Sequence, residues 1–300
     1  MGARALISAL GEDFVLTVVD VGSAGGLHKR WTPFESVLSA VLFEPREGGS
    51  ASGSLGRGQT RTYPVALGDR AGEVDLYITQ LANMSSFLKP DGDVFGRYRK
   101  KGADALVVAT EMVPVDCLDA LAEADGIRPD VLKVDTQGSE LLVLQGAEQS
   151  LASVLVAEVE VSFFRRYVGQ PVFAEIEAWM TERGFELIEL HKLKRYRAIN
   201  SLGIRQPVLG GAQRSGRVAY GDAIFMRSQD TVLAAAKKDG GASVLKAAVA
   251  LLAYGKADHA AALLDASKDL MPSERHEAVS KALRGMKRIL PPLSSLLPRS

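Results

Sequence analysis

The chain has 300 residues, 47% of them hydrophobic, enough for one large globular domain and a small appendage. Its 36 Lys and Arg balance 36 Asp and Glu, and this zero net charge argues against nucleic acid or another polyanion as the main partner. A single cysteine, Cys117, excludes an internal disulfide framework and a cysteine-based zinc site, and it fits a reducing compartment.

The first informative segment is LTVVDVGSAGGLHKRW, residues 16–31, in which an apolar β-branched run ends in Asp20 and then in Gly22, Gly25 and Gly26 before a helix-like stretch. A buried parallel strand turning at glycines sits at the carboxyl edge of an open α/β sheet, where ligands bind. A dinucleotide fingerprint wants G-x-G-x-x-G, but Ala24 holds the middle glycine position and Leu27 the last. The turn therefore reads as nucleoside-binding rather than as a pyrophosphate cradle. A second strand over 39–43 ends in Glu44, placed where a carboxylate can accept both ribose hydroxyls.

Further strands are expected over 61–67, 72–79 after the turn at Gly68 and Asp69, 131–135, 154–161, 185–190 and 219–227. Their alternation with helical stretches implies βαβ units and a mostly parallel sheet with helices on both faces. The glycine- and serine-rich segment 46–59 reads as a loop beside Glu44. Asp116 and Asp119 read as capping residues of the helix that follows. Within the central strands, Lys133 and Asp135 share one face, as do Glu158 and Glu160. A buried Lys needs a counterion, so Lys133 is expected to pair with Asp20 or Glu158. Gln137, Ser139 and Glu140 open the next helix and either cap it or face a ligand.

The loop SFFRRYVGQP places Arg165, Arg166, Tyr167 and Gln170 beyond Glu160, and HKLKRYRAINSLGIRQP (191–207) reads as a basic insert able to grip a phosphate or carboxylate. His28 and His191 have no partners at metal-ligand spacing, so no metal is expected. After residue 228 the composition turns to Ala, Leu and Lys with helical spacing, predicting a helical hairpin like one tetratricopeptide unit and a loose tail. One such unit cannot bury its own face, so it must dock on the α/β domain, a second subunit or another protein. The expected division is 1–228 for the α/β domain and 229–300 for the appendage. With no apolar run of about 20 residues, no signal-peptide pattern, and Leu6 where a myristoylation signal wants Ser or Thr, a cytoplasmic protein is expected.

Several of these motifs occur together in one order. DVGSAGG, FEP, NMSSFLKPD (83–91), VLKVDTQGSELLVLQGAE (131–148), VEVSFFRRYVGQPVF (159–173), RGFELIEL (183–190) and YGDAIFMR (220–227) together resemble the FkbM family of S-adenosylmethionine-dependent methyltransferases. Many members carry Asn where this chain has Ala24. The resemblance implies a Rossmann-like class I methyltransferase with a seven-stranded sheet, acting on a hydroxyl of a glycan, polyketide or other secondary metabolite. It further implies an active site at Asp135 and Glu140, and S-adenosylmethionine contacts are expected at Asp20, Gly22, Gly26, Glu44 and Asp69, with Glu160 joining the catalytic set from its place at a strand end. Glu160, leading into the arginine-rich loop, is the first choice for acceptor contact. Two other readings stand beside this one: a non-catalytic nucleoside-binding protein on the same scaffold, and a nicotinamide-dependent oxidoreductase, which leaves most motifs unexplained.

Overall fold

A computed structural model describes residues 2–45, 54–204 and 215–286. The tail beyond 286 and most of the 46–59 loop lie outside the described residues, as does the end of the basic insert. Among the described residues ten strands are present: β1 (Leu16–Val21), β2 (Leu38–Phe43), β3 (Gln59–Tyr63), β4 (Ala66–Leu67), β5 (Gly72–Thr79), β6 (Val107–Asp116), β7 (Val131–Val134), β8 (Val156–Ser162), β9 (Phe185–Tyr196) and β10 (Arg217–Arg227). The helices are α1 (Gly2–Leu10), α2 (Gly92–Gly96), α3 (Lys101–Asp104), α4 (Leu118–Asp125), α5 (Glu140–Gln145), α6 (Phe173–Glu182), α7 (Gln229–Asp239), α8 (Ala242–Ala253), α9 (Ala257–Ala266) and α10 (Ser273–Arg284).

Seven strands form the main sheet in the order β3-β2-β1-β7-β8-β10-β9. All run parallel except β10, which is antiparallel to both its neighbours. The chain leaves β1 towards β2 and β3, then returns to build β7, β8, β10 and β9 on the other side. The switch point therefore falls between the carboxyl ends of β1 and β7, where an open α/β sheet offers its ligand crevice. This is the Rossmann-like α/β architecture expected from the sequence.

Period-two alternation gives each face of the sheet a different fate. Val19, Val41, Leu132, Val134, Ala157, Val159 and Phe225 point towards α4, α5 and α6 and form one core with Leu118, Val143, Leu144, Ile176 and Met180. On the other face Leu16, Val18, Val131, Val156, Ile224 and Met226 pack against α1 and α7–α10 through Val232, Val244, Leu245, Val249 and Leu263. The C-terminal helices thus dock on the sheet itself, each buried Val or Leu contributing about 1.5–3 kcal/mol. Lys246 fastens them to the sheet edge through Asp130, at 2.9 Å. No helix among the described residues is long and apolar enough to cross a membrane.

Farther along the strands this second face changes from apolar to charged. Asp20, Lys133 and Glu158 lie in register across β1, β7 and β8, and Lys133 Nζ meets Asp20 Oδ1 at 2.8 Å. Arg30, from a 3-10 helix over Lys29–Val37, reaches Glu158 Oε1 at 3.0 Å. Tyr254, which caps α8, donates its hydroxyl to Glu158 Oε2 at 3.0 Å. Burial pushes the Glu158 carboxyl up, but Arg30, Lys192 and Lys133 together outweigh it and hold the group below the usual range. Tyr254→Phe is expected to lower stability by about 1.5 kcal/mol, the lower end for a hydrogen bond to a charged acceptor, as read from the urea midpoint.

Several elements differ from the sequence expectation. The strand expected over 61–67 splits at Pro64, and its second half, β4, joins a separate three-stranded sheet in the order β4-β6-β5. Strand β6 has no counterpart in the expected set: residues 108–112 are exposed in a row and Pro114 interrupts the sequence, so alternation of buried and exposed positions is confined to its last residues. Helix α4 is capped at Cys117, not Asp116, and Asp119 instead accepts the backbone N–H groups of Gln149 and Ser150 at 2.8 and 2.7 Å. The basic stretch from 191 is not an insert at its start, because β9 continues through Tyr196 as the sheet's edge.

Candidate active site

A cavity of about 860 Å³ opens at the switch point. Val21, Gly22, Ala24, Glu44 and Asp135 line its β1–β2–β7 end, with Phe43, Pro45, Val65, Ala66, Leu67 and Leu76 as an apolar wall. Residues 81–87 cross above, and Glu160, Arg166, Tyr220, Asp222, Lys192, Lys194, Tyr196 and Lys101 line the end beneath β8, β10 and β9. Such a volume, largely apolar with a few convergent polar groups, is ordinary for a cofactor and a small acceptor together.

Gly22 is fixed by its neighbour across the switch point. Its φ is +78°, and a Cβ there would lie 2.0 Å from the Asp135 carbonyl oxygen. Glycine is required so that the two strand ends can close on each other, which is a different reason from leaving room for a ligand. Its N–H donates to the Phe43 carbonyl at 2.9 Å, tying the turn to the end of β2. Gly25 and Gly26 also have positive φ, but space is open around them, and neither lines the cavity. Glu44 is buried just beyond β2, held by its N–H to the Tyr63 carbonyl at 3.1 Å.

The turn after β7 is braced from beneath. Glu140, at the start of α5, is buried and accepts hydrogen bonds from the N–H groups of Thr136 and Gly138 at 3.1 and 2.8 Å. Burial pushes its carboxyl up, opposed by the backbone N–H groups of Gly138 and of Glu140 itself. Gln137 takes a left-handed backbone, φ +59°, a conformation costing a non-glycine residue about 1–2 kcal/mol. This turn aims the Gln137 amide between two carboxylates, donating to Asp135 Oδ1 at 3.1 Å and to Glu160 Oε2 at 2.8 Å. Asp135 Oδ2 has no hydrogen bond to another described residue, and the side chain is half-buried in the cavity wall.

Glu160 is committed on both oxygens. Arg166 donates to Oε1 at 2.6 Å, with side-chain exposures of 4% for the acid and 1% for the base. Arg166 also reaches Ser162 Oγ at 3.0 Å and stacks over the Tyr220 ring, 4.2 Å from its centroid. Burial pushes the Glu160 carboxyl up, Arg166 pulls it down, and Asp135 and Glu140 push it up again. Burial, followed by the nearby Glu160 charge, moves the Tyr220 hydroxyl up to about 12.

The site residues expected from sequence divide into two groups. Gly22, Glu44, Asp135 and Glu160 meet in the cavity wall, whereas Asp20, Gly26, Asp69 and Glu140 are not among the lining residues. Asp20 lies beneath, occupied by Lys133; burial pushes its carboxyl up against that cation. Asp69 is exposed beyond the end of β4, and Glu140 supports the turn rather than facing the space. Of the loop residues, only Arg166 lines the cavity. Arg165 pairs with Glu175 at the surface, Tyr167 donates to the Met84 carbonyl at 2.9 Å, and Gln170 holds the loop through the Arg166 N–H at 2.8 Å. Sequence reasoning had not included Gln137's bridging role, Tyr196, Tyr220 or Lys101. The positive φ at Gln137 leaves no mark in its residue type, and the other three come from distant elements.

His191 acquires partners that its sequence spacing did not offer. With Glu158 and Asp222 it brings three candidate ligand atoms within 4.8 Å of one another. Arg30 and Lys192 already lie on these carboxylates, Lys192 Nζ meeting Asp222 Oδ2 at 2.8 Å. Three acids, Asp20, Glu158 and Asp222, are matched by Lys133, Arg30 and Lys192, so the cluster is balanced without an added cation.

A search of curated proteins gave no significant match. A solved domain from Corynebacterium diphtheriae, provisionally described as a precorrin-6Y C5,15-methyltransferase targeted domain, is 12% identical over 75% of this chain and 95% of its own, with a TM-score of 0.25. That likeness is too low to add to the strand order. The sequence profile of the methyltransferase FkbM domain matches residues 33–187, just over half of the chain, from the approach to β2 into β9. The chain belongs to the FkbM methyltransferase family.

Proposed function

We propose that the protein is an S-adenosylmethionine-dependent O-methyltransferase whose acceptor hydroxyl is presented to Asp135. The observation that carries this reading is the meeting of Gly22, Glu44 and Asp135 in one cavity at the switch point. The residues present suit the cofactor: a glycine-closed strand end, a buried carboxylate at the end of β2, and an apolar wall for a planar base. When bound, S-adenosylmethionine supplies an electrophilic methyl group on a positively charged sulfur.

The chain's own groups provide the rest. Glu44 accepts the ribose hydroxyl protons, and Phe43, Val65, Ala66 and Leu67 keep water from the base. Asp135 Oδ2 takes the proton that the acceptor hydroxyl loses as its oxygen gains the methyl group. Gln137 holds Asp135 in place through Oδ1, and the Glu160–Arg166 pair holds Gln137. Glu160 thereby becomes a positioning residue rather than the acceptor contact expected from sequence, since neither of its oxygens is open.

Glu44→Ala is expected to weaken S-adenosylmethionine binding by about 2 kcal/mol, roughly 30-fold, the scale of a hydrogen bond to a charged group. Calorimetry on a variant with unchanged circular dichroism makes the test, with NAD as the competing ligand. Equal affinity in both proteins would remove Glu44 from the ribose site, and binding of NAD instead would favour the oxidoreductase reading.

A further inference from the structure

The far end of the cavity carries a chemistry that methyl transfer alone does not require. Its wall there is built by β9, β10 and α3, with Lys192 and Lys194 on one strand, Lys101 facing them, and Tyr196 and Tyr220 between. In sheet order β9 stands four strands from β1, about 19 Å at the usual spacing of about 4.8 Å. Cations at that distance are remote from the ribose end at Gly22 and Glu44 and lie on the acceptor side of Asp135.

The charges facing this end are not equally committed. Arg166 is taken by Glu160, and Lys192 by Asp222 at 2.8 Å, with Glu158 at 3.5 Å. Lys101 pairs with Asp104 one helical turn away at 2.8 Å, a partly exposed bridge of the kind worth little in water, and its ammonium lies 5.4 Å from the Tyr196 ring centroid. Lys194 pairs in the ladder with Tyr220, is exposed, and has no hydrogen bond or ion pair to another described residue. Once internal pairs are discounted, the acceptor end presents one uncommitted ammonium and one weakly committed ammonium beside two aromatic rings. Glu44 and Asp135 line the other end.

We propose that the methyl acceptor is anionic: a hydroxyl-bearing ring that packs against Tyr196 and Tyr220 and carries an oxyanion, phosphate or carboxylate, held by Lys194 with Lys101. This inference rests on the methyltransferase reading for the word acceptor, but the anion site stands on its own geometry. Lys194 lies three strands from Asp135, so the oxyanion and the reacting hydroxyl occupy opposite parts of the acceptor. Two ammonium groups at the mouth of a cleft also draw an anionic ligand in, an effect that weakens with added salt.

The test uses the full chain saturated with S-adenosylhomocysteine, titrated at constant ionic strength with inorganic phosphate, with glucuronate, and with glucose as the neutral control. Thermal stability is the readout. Saturable stabilisation by phosphate, by glucuronate or by both is expected, with none from glucose, and Lys194→Met should raise the half-saturating concentration at least fivefold. A Lys238→Met variant, on an exposed part of α7, controls for surface charge and should leave that concentration unchanged. A response to phosphate alone identifies the oxyanion as phosphate-like, and a response to glucuronate alone as a carboxylate. Absence of saturation with both anions, or the same half-saturation in Lys194→Met, would overturn the proposal. S-adenosylhomocysteine affinity, measured separately, tests the cofactor reading: its absence would defeat that reading and leave a Lys194-dependent anion site intact.

Discussion

Glu160→Gln is expected to destabilise the fold by about 3–5 kcal/mol, the usual cost of leaving one member of a buried ion pair without its partner. Arg166 is 1% exposed and its Nη2 lies 2.6 Å from Glu160. Burial disfavours the guanidinium charge, but Glu160, joined by Tyr196 and Tyr167, outweighs it and holds Arg166 above its usual range. A neutral amide removes that compensation while keeping the side chain's volume. Ser162 and Tyr196 offer Arg166 only neutral oxygens, at 3.0 and 3.4 Å. Denaturant unfolding measures the effect, and the double variant Glu160→Gln with Arg166→Met should recover much of the loss, because no uncompensated charge then stays buried. A single variant as stable as the wild type would show that the pair contributes nothing net and would weaken the positioning role given to Glu160.

Asp135→Asn is expected to lower methyl transfer by about 100-fold or more, the ordinary scale of general-base assistance, while S-adenosylmethionine affinity changes little. The amide matches the carboxylate in size and can still accept the Gln137 hydrogen bond, now 3.1 Å long. It cannot take the acceptor's proton. The contrast with Glu160→Gln is the informative part: one substitution should act on turnover in a folded protein, the other on folding itself. Single-turnover transfer beside calorimetry separates them. An Asp135→Asn protein that transfers at the wild-type rate would leave the acceptor hydroxyl to be deprotonated elsewhere.

Much of this arrangement was legible along the chain, and the reason is local. The buried runs of β1, β2, β7 and β8 are largely apolar, and Asp20, Lys133, Glu158 and Glu160 within them, with Glu44 and Asp135 just beyond β2 and β7, break the pattern. A charge in a strand otherwise buried on both faces signals either an ion pair or a site, and period two assigns its face. Which of the two it signals depends on partners that a linear reading cannot supply. Arg30 reaches Glu158 across 128 positions, and Lys133 reaches Asp20 across 113. Those contacts give Asp20, an expected cofactor contact, a lysine partner beneath the cavity. Gly22 was expected as a cofactor contact; what requires glycine there, the Asp135 carbonyl against it, belongs to a turn more than a hundred residues later. Strand β6 escaped notice because five consecutive exposed residues, 108–112, give no alternation over its first half. The lysines of β9 read as a loop because a charged edge strand has no apolar period to mark it.

The most direct measurement is a structure of the protein with S-adenosylhomocysteine bound. The account predicts the ribose hydroxyls within about 3.2 Å of the Glu44 carboxylate, the base against Phe43, Ala66 and Leu67, and the sulfur turned towards Asp135 with the lysine-lined end of the cavity left open. A complex with the ribose away from Glu44, or with the sulfur facing away from Asp135, would contradict it.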